Sequence, residues 1–220
     1  MVLPRRVHAV VFDMDGLLVD TEAVYRDAMA AVAEEMGHAM SLDVFRAMIG
    51  LPDNTDLLTG HYGADFPVDA FNQRVLDVAE EMILAGVALK AGVIEILDHL
   101  DALGLPRAIA TSSSHRAVAS HLRAAGIIPR FNTIVAKGDY VRGKPHPDPY
   151  LTAAARLEVD PSLCLALEDS HNGVRAAAAA GMMTIMVPDL LDPTEEMHGL
   201  CCRIAVDLHE VRGMLGPVRP

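Results

Sequence analysis

Five short apolar runs, Val7 to Phe12, Arg107 to Ala110, Thr133 to Ala136, Leu163 to Leu167 and Thr184 to Val187, constrain the fold of this chain more than any other feature. Each has the length and apolar character of a strand buried on both faces. Between the last four lie helix-length segments without internal breakers: one carries Val118 and Leu122 at i and i+4, and the others are Tyr150 to Leu157 and the alanine-rich Val174 to Ala180. Alternation of strand and helix demands crossover connections, hence a mostly parallel sheet covered on both faces, and the expected class is α/β.

One interval breaks the rhythm. From about Leu18 to Ala85 there is no convincing strand, only helix-like stretches such as Thr21 to Met36 and Val68 to Leu84, punctuated by Gly37, Gly50, Pro52, Gly60, Gly63 and Pro67. The expected organisation is a core built from residues 1–17 and 86–220 with a helical insert of residues 18–85. An insert placed directly after the first strand is expected to act as a lid over the ligand-binding edge. Beyond Pro188 the pattern weakens into an expected loop before a short terminal helix.

Composition narrows the function. The 220 residues are 51% hydrophobic, enough for a buried core, and 30 acidic against 18 basic residues give a formal net charge of -12. No basic stripe is available to neutralise phosphates or lipid headgroups, so neither a nucleic acid nor a membrane is an expected partner, whereas a small charged ligand in a locally positive pocket is. The apolar run at the start is too short for a signal peptide, no stretch has the roughly 18 apolar residues of a membrane span, and Cys164, Cys201 and Cys202 have no metal or disulfide spacing. The expectation is a cytoplasmic protein, monomeric or weakly dimeric, with reduced cysteines.

The chemistry is concentrated where the strands end. Val10-Val11-Phe12-Asp13-Met14-Asp15-Gly16 closes the first strand with two acids one residue apart. Side chains alternate along a strand, so Asp13 and Asp15 can project towards one region while Gly16 permits a sharp turn. Such close carboxylates are either a solvated turn or a site for a hard cation such as Mg²⁺. Thr111-Ser112-Ser113-Ser114 brings hydroxyls and backbone N–H groups to a helix start, which is either an N-cap or an anion site. Lys144 sits in the proline-braced segment Gly143 to Pro149, and Glu168-Asp169 ends the fourth strand ahead of Ser170-His171-Asn172-Gly173. In an open parallel sheet these carboxyl-terminal ends share one edge, where ligands bind.

This ordered set of four motifs, spread from Val7 to about Val187, resembles the haloacid dehalogenase superfamily, specifically the branch with a helical cap similar to β-phosphoglucomutases and small-metabolite phosphatases. The resemblance implies a Rossmann-like sheet of strand order 5-4-1-2-3 and Mg²⁺-dependent phosphoryl transfer on a small phosphorylated metabolite. It also implies roles: Asp13 as nucleophile, Asp15 as general acid and base, Thr111 as phosphate-binding hydroxyl and Lys144 as the charge-neutralising cation. Gly16, Ser112, Ser113 and Lys144 would contact substrate, and Asp13, Asp15, Glu168 and Asp169 would hold Mg²⁺.

The same acids allow other readings. Dehalogenases of the family need no Mg²⁺ and have no use for Asp15. A β-phosphoglucomutase-type mutase is expected to carry a cap histidine where this chain has Tyr25, and basic residues at a hinge that here reads Met48 to Asn54 without Lys or Arg; Arg26 and Arg46 are either substitutes or part of a solvated helix face. A phospho-aspartate signalling module would be about half this length and would lack the insert. Of the ten histidines, His146 and His171 fall in the expected site loops, and the others, His121 among them, are expected to have no role.

Overall fold

The structure is a computed structural model that describes residues 3–48, 51 and 53–217. It comprises, in chain order, β1 (Ala9–Phe12), α1 (Thr21–Glu35), α2 (Leu42–Met48), α3 (Thr55–Tyr62), α4 (Val68–Ala85), α5 (Val93–Leu103), β2 (Arg107–Ser114), α6 (His115–Ala124), β3 (Thr133–Lys137), α7 (Asp148–Leu157), β4 (Cys164–Glu168), α8 (His171–Ala179), β5 (Met183–Met186), α9 (Glu195–Leu200), β6 (Arg203–Ile204) and α10 (Leu208–Met214). These divide into two compact units, Met1–Asp20 with Ala88–Pro220, and Thr21–Val87.

The first unit is a six-stranded parallel sheet of order β3-β2-β1-β4-β5-β6. The first five strands stand in the expected order, read from the opposite edge. The sixth is a correction, because the segment beyond Pro188 contains two helices and an edge strand rather than a loop and one helix. The strand is only two residues long, too short to show a period, and is held by backbone bonds from Cys202 N–H to Thr184 O and from Ala205 N–H to Met186 O, each 2.8 Å.

All four residues of β1 are completely buried, as a central parallel strand covered on both faces requires. On one face Ala9 and Val11 join Ala108, Ala110, Val135, Tyr150, Ala153, Ala166 and Ala177, where small side chains let α7 and α8 lie close to the sheet. The edge of this unit runs further than residue 17. Leu17, Leu18 and Val19 are buried, Asp20 N–H donates to Ala88 O, and Lys90 N–H donates to Leu18 O, so the two chain segments that lead into and out of the insert are stitched to each other within this unit.

The second unit is purely helical. Its core gathers Ala28, Val32 and Ala33 of α1 against Phe71, Val75, Val78 and Ala79 of α4, with Val44, Met48 and Leu58 of the two shorter helices. Arg74 and Glu35 form a two-pronged pair at 3.0 and 3.1 Å between the long helices. Tyr25 packs onto this apolar core, and Arg26 pairs with its neighbour Asp27. Of the hinge segment, Ile49, Gly50 and Pro52 lie outside the described residues. No helix among the described residues is long and apolar enough to cross a membrane.

Candidate active site

Strand register assembles the site. Phe12 lies beside Ile109 of β2 and Leu167 of β4. Asp13, one residue beyond β1, is therefore level with Ala110 and Glu168, and Thr111 stands one step further along β2. The chain is anchored there by Asp13 N–H, which donates to Leu167 O at 2.9 Å. Three neighbouring strands thus deliver an acid, a hydroxyl and a second acid to the carboxyl edge of the sheet.

After Asp13 the backbone turns back on itself, with Gly16 N–H bonded to Val19 O at 3.0 Å and Leu18 N–H to Met14 O at 2.9 Å. Gly16 has φ +81°, and a Cβ there would run into the carboxylate of Asp169. The glycine therefore serves two needs, a left-handed turn and room for an acid. No contact with a ligand follows from it.

Lys144, in the loop between β3 and α7, reaches the centre of the cluster. Its side chain is 6% exposed, and its Nζ donates to Asp13 Oδ1 and to Glu168 Oε1, the latter at 2.5 Å, while lying 5.2 Å from the centre of the Tyr150 ring. Burial disfavours the lysine's charge, but Asp13 and Glu168 together hold its pKa above that of an ordinary lysine, so it stays cationic. Burial likewise pushes Asp13 up; Lys144 draws it back, Glu168 and Asp15 add to the rise, and the result is about 7. Asp169 is raised well above the usual carboxylate range by burial and then by Asp13 and Glu168.

Glu168 is completely buried and fully supplied with donors. Oε1 accepts from Lys144 and from Tyr150 Oη at 2.6 Å; Oε2 accepts from the backbone N–H of Asp169 at 3.1 Å and of Ser170 at 3.2 Å, and from Ser170 Oγ at 3.0 Å. Ser170 Oγ in turn caps α8 by accepting from Gly173 N–H at 3.1 Å. A Cβ on Gly173 would overlap the Glu168 carboxylate, which explains a glycine inside the first turn of that helix.

Asp13, Glu168 and Asp169 each offer a carboxylate oxygen, and these oxygens lie within 4.8 Å of one another. An all-oxygen acidic set fits a hard divalent cation such as Mg²⁺. Because both oxygens of Glu168 already have donors, Asp13 and Asp169 are the acids with coordination to spare, and Glu168 holds Lys144 and the turn of Asp169 in place. The carboxylate of Asp15, expected among the ligands, stands apart from this set. Its Oδ2 accepts from Ser113 Oγ at 2.6 Å, and its Oδ1 lies 3.3 Å from Nδ1 of His121.

β2 runs through the hydroxyl segment to Ser114, with an irregularity in its pairing to β3 between Ala110 and Ser114, and Ser114 caps α6 by accepting from Ala117 N–H at 3.2 Å. Thr111 is buried with Oγ1 accepting from Ser113 N–H at 3.0 Å, Ser112 is exposed, and Ser113 is occupied with Asp15. His146 is exposed, and His171 bonds the backbone oxygen of Asp192 at 2.9 Å. The sequence reading missed Tyr150, Ser170 and His121. A signal for His121 existed: with Val118 and Leu122 it completes an i, i+3, i+4 face, and all three are buried.

An open parallel sheet whose carboxyl edge carries buried acids around one lysine is the frame of an α/β enzyme with its candidate site at that edge. The chain belongs to the haloacid dehalogenase-like hydrolases, whose family model matches residues 7–181. It is 33% identical over 181 residues, 81% of this chain and 84% of the relative, to a phosphorylated carbohydrates phosphatase of Thermotoga maritima. It is 32% identical over 199 residues, 86% of each, to hexitol phosphatase B of Escherichia coli. The crystal structure of a Deinococcus radiodurans family hydrolase, with phosphate and sodium bound, superposes with a TM-score of 0.82 at 28% identity over 96% of this chain and 98% of that one.

Proposed function

We propose that the chain is an Mg²⁺-dependent phosphatase that hydrolyses a small phosphorylated metabolite, a sugar phosphate or similar monoester, through an aspartyl-phosphate. The observation that carries this reading is the buried Lys144 held between Asp13 and Glu168. A carboxylate can approach a phosphate dianion only where charge is cancelled, and here a fixed cation touches the carboxylate itself. Relatives named as phosphatases of phosphorylated carbohydrates and hexitols, and the phosphate in a similar crystal structure, support the same substrate class.

Asp13 attacks phosphorus as its bond to the ester oxygen breaks, giving the aspartyl-phosphate; Asp15 gives its proton to the departing alkoxide, which leaves as the alcohol. Asp15, now ionised, takes a proton from water as the water oxygen attacks phosphorus, releasing inorganic phosphate and restoring Asp13. Thr111 and the backbone N–H groups at the end of β2 orient the phosphoryl oxygens, and Lys144 offsets the negative charge gathered at Asp13. When bound, Mg²⁺ supplies Lewis-acid neutralisation of the phosphoryl charge, held by Asp13 and Asp169. Release of inorganic phosphate from a panel of sugar and polyol phosphates, with and without EDTA, tests the reading: activity untouched by chelation removes the metal, and no phosphate from any ester removes the phosphatase.

A further inference from the structure

Where β2 reaches the site, its regular pairing with β3 lapses. Ala110 stands beside Val135 and Ser114 beside Lys137, so Thr111, Ser112 and Ser113 face the single residue Ala136 across that edge. A strand that bulges in this way leaves backbone groups for other partners to hold. Thr111 Oγ1 is one such partner, accepting from Ser113 N–H at 3.0 Å. Tyr140, in the loop that follows β3, is another: its Oη donates to the backbone oxygen of Thr111 at 3.1 Å and accepts from the Ser112 hydroxyl.

The tyrosine is itself well anchored. Its ring packs against the apolar cluster on the α7 face of the sheet, and its edge lies 3.6 Å from where a Cβ on Gly143, the residue before Lys144, would stand. The preceding Asp139 closes the turn, with Oδ2 accepting from Ala136 N–H at 3.0 Å and pairing with His115 at 3.0 Å and Arg156 at 3.2 Å. Burial raises the pKa of Tyr140 above that of an ordinary tyrosine, with Lys144 opposing, so the hydroxyl keeps the proton it donates. The C=O and N–H of a trans peptide point in opposite directions. A donor that fixes Thr111 O therefore also fixes the direction of Ser112 N–H, which points away from Tyr140.

We propose that Tyr140 is a positioning residue that locks the Thr111–Ser112 peptide to the loop carrying Lys144, and so aims the Ser112 N–H at a phosphoryl oxygen. This deepens the phosphatase reading and rests on it; Tyr140 acts through Thr111 and Ser112 rather than on the substrate.

Tyr140→Phe removes the hydroxyl and keeps the ring. Calorimetric titration of the full chain, loaded with Mg²⁺, with inorganic phosphate reads the hold on the phosphoryl group without turnover. The Kd for phosphate should rise about three- to tenfold from wild type to Tyr140→Phe, the effect of one hydrogen bond. With p-nitrophenyl phosphate, KM should rise by a similar factor while kcat stays within about twofold, the pattern of binding lost equally from substrate and transition state. If Tyr140→Phe does not fold, Tyr140→Met carries the same test. A lower melting temperature with an unchanged phosphate Kd is a purely structural role and overturns the proposal, as does a fall in kcat with Kd unchanged. A wild type that binds phosphate yet hydrolyses no ester overturns the phosphatase reading, while the comparison of Kd values still decides whether Tyr140 aims the phosphate-binding peptide. A wild type that binds no phosphate overturns both.

Discussion

Lys144 Nζ lies 2.5 Å from Glu168 Oε1, an ion pair in which the carboxylate is completely buried and the lysine side chain almost so. The same Nζ bonds Asp13, and Tyr150 Oη shares the Glu168 oxygen. One cation therefore serves two acids from adjacent strands, and the net negative centre is tolerable only while it is present.

Lys144→Met should consequently damage both stability and turnover. Removing one member of a buried pair strands the others, at a cost of roughly 3–5 kcal/mol, and kcat should fall by on the order of a hundredfold or more. Without the lysine the pKa of Asp13 rises further. A carboxyl raised in the folded state stabilises fully below its unfolded pKa and loses that stability as pH climbs through the folded value. The melting temperature deficit of Lys144→Met should therefore be smaller at pH 5 than at pH 8. A deficit independent of pH would contradict the charge argument.

Two glycines should respond differently to the same change. Gly173→Ala places a methyl group inside the Glu168 carboxylate, and since that carboxylate is held by five donors it cannot move aside; a loss of about 3 kcal/mol or more in urea unfolding is expected, in the range of severe overpacking. Gly16→Ala meets instead the end of the Asp169 side chain and a left-handed backbone, so it should displace a proposed ligand and weaken the apparent affinity for Mg²⁺ in activity titrations. Equal Mg²⁺ affinity in Gly16→Ala and wild type would exclude that steric coupling.

Mutations of the two acids of the first motif should separate by intermediate. Asp13→Asn leaves no nucleophile, so turnover should fall by at least about a thousandfold and binding of beryllofluoride, a mimic of the phosphoryl group on aspartate, should disappear. Asp15→Asn keeps Asp13, Lys144, Glu168 and Asp169, so it should retain beryllofluoride binding while losing turnover. Fluorine NMR of the bound species distinguishes the two, and binding to Asp13→Asn would place the nucleophile elsewhere.

What could be read from the sequence was what repeats or alternates. The strands that feed the site each present several consecutive apolar residues, and their ends gave Asp13, Thr111 and Glu168 by position alone. Side chains that arrive from outside those ends left weaker traces. Tyr150 looked like an apolar residue of α7 because nothing in its spacing shows that its hydroxyl meets Glu168, and the filled coordination of Glu168 depends on Ser170, a residue read as part of a turn. Ser113 belongs to the hydroxyl segment that the family resemblance assigns to substrate, and nothing in its spacing shows that its hydroxyl also donates to Asp15. The two-residue β6 has no period to detect; its place is set by backbone bonds to β5.

The acidity of the centre links metal, pH and stability in one further measurement. In the metal-free protein Asp13 is raised to about 7 and Asp169 is raised well above the usual range, both first by burial. The folded state therefore holds protons that the unfolded chain releases near pH 4, and stability should decline as pH rises from roughly 4 through about 7, where Asp13 is forced to ionise beside the other acids. A divalent cation bound by the ionised acids reverses that penalty and releases the protons on binding. The rise in melting temperature caused by a fixed, millimolar concentration of Mg²⁺ should thus be small at pH 5 and increase to pH 8, whereas Asp169→Asn, which removes one ligand and one repelling charge, should raise the metal-free melting temperature at pH 8 and abolish most of the Mg²⁺ effect. A Mg²⁺ effect that is the same at both pH values, or that survives in Asp169→Asn, would mean that the cation binds elsewhere on this acidic protein.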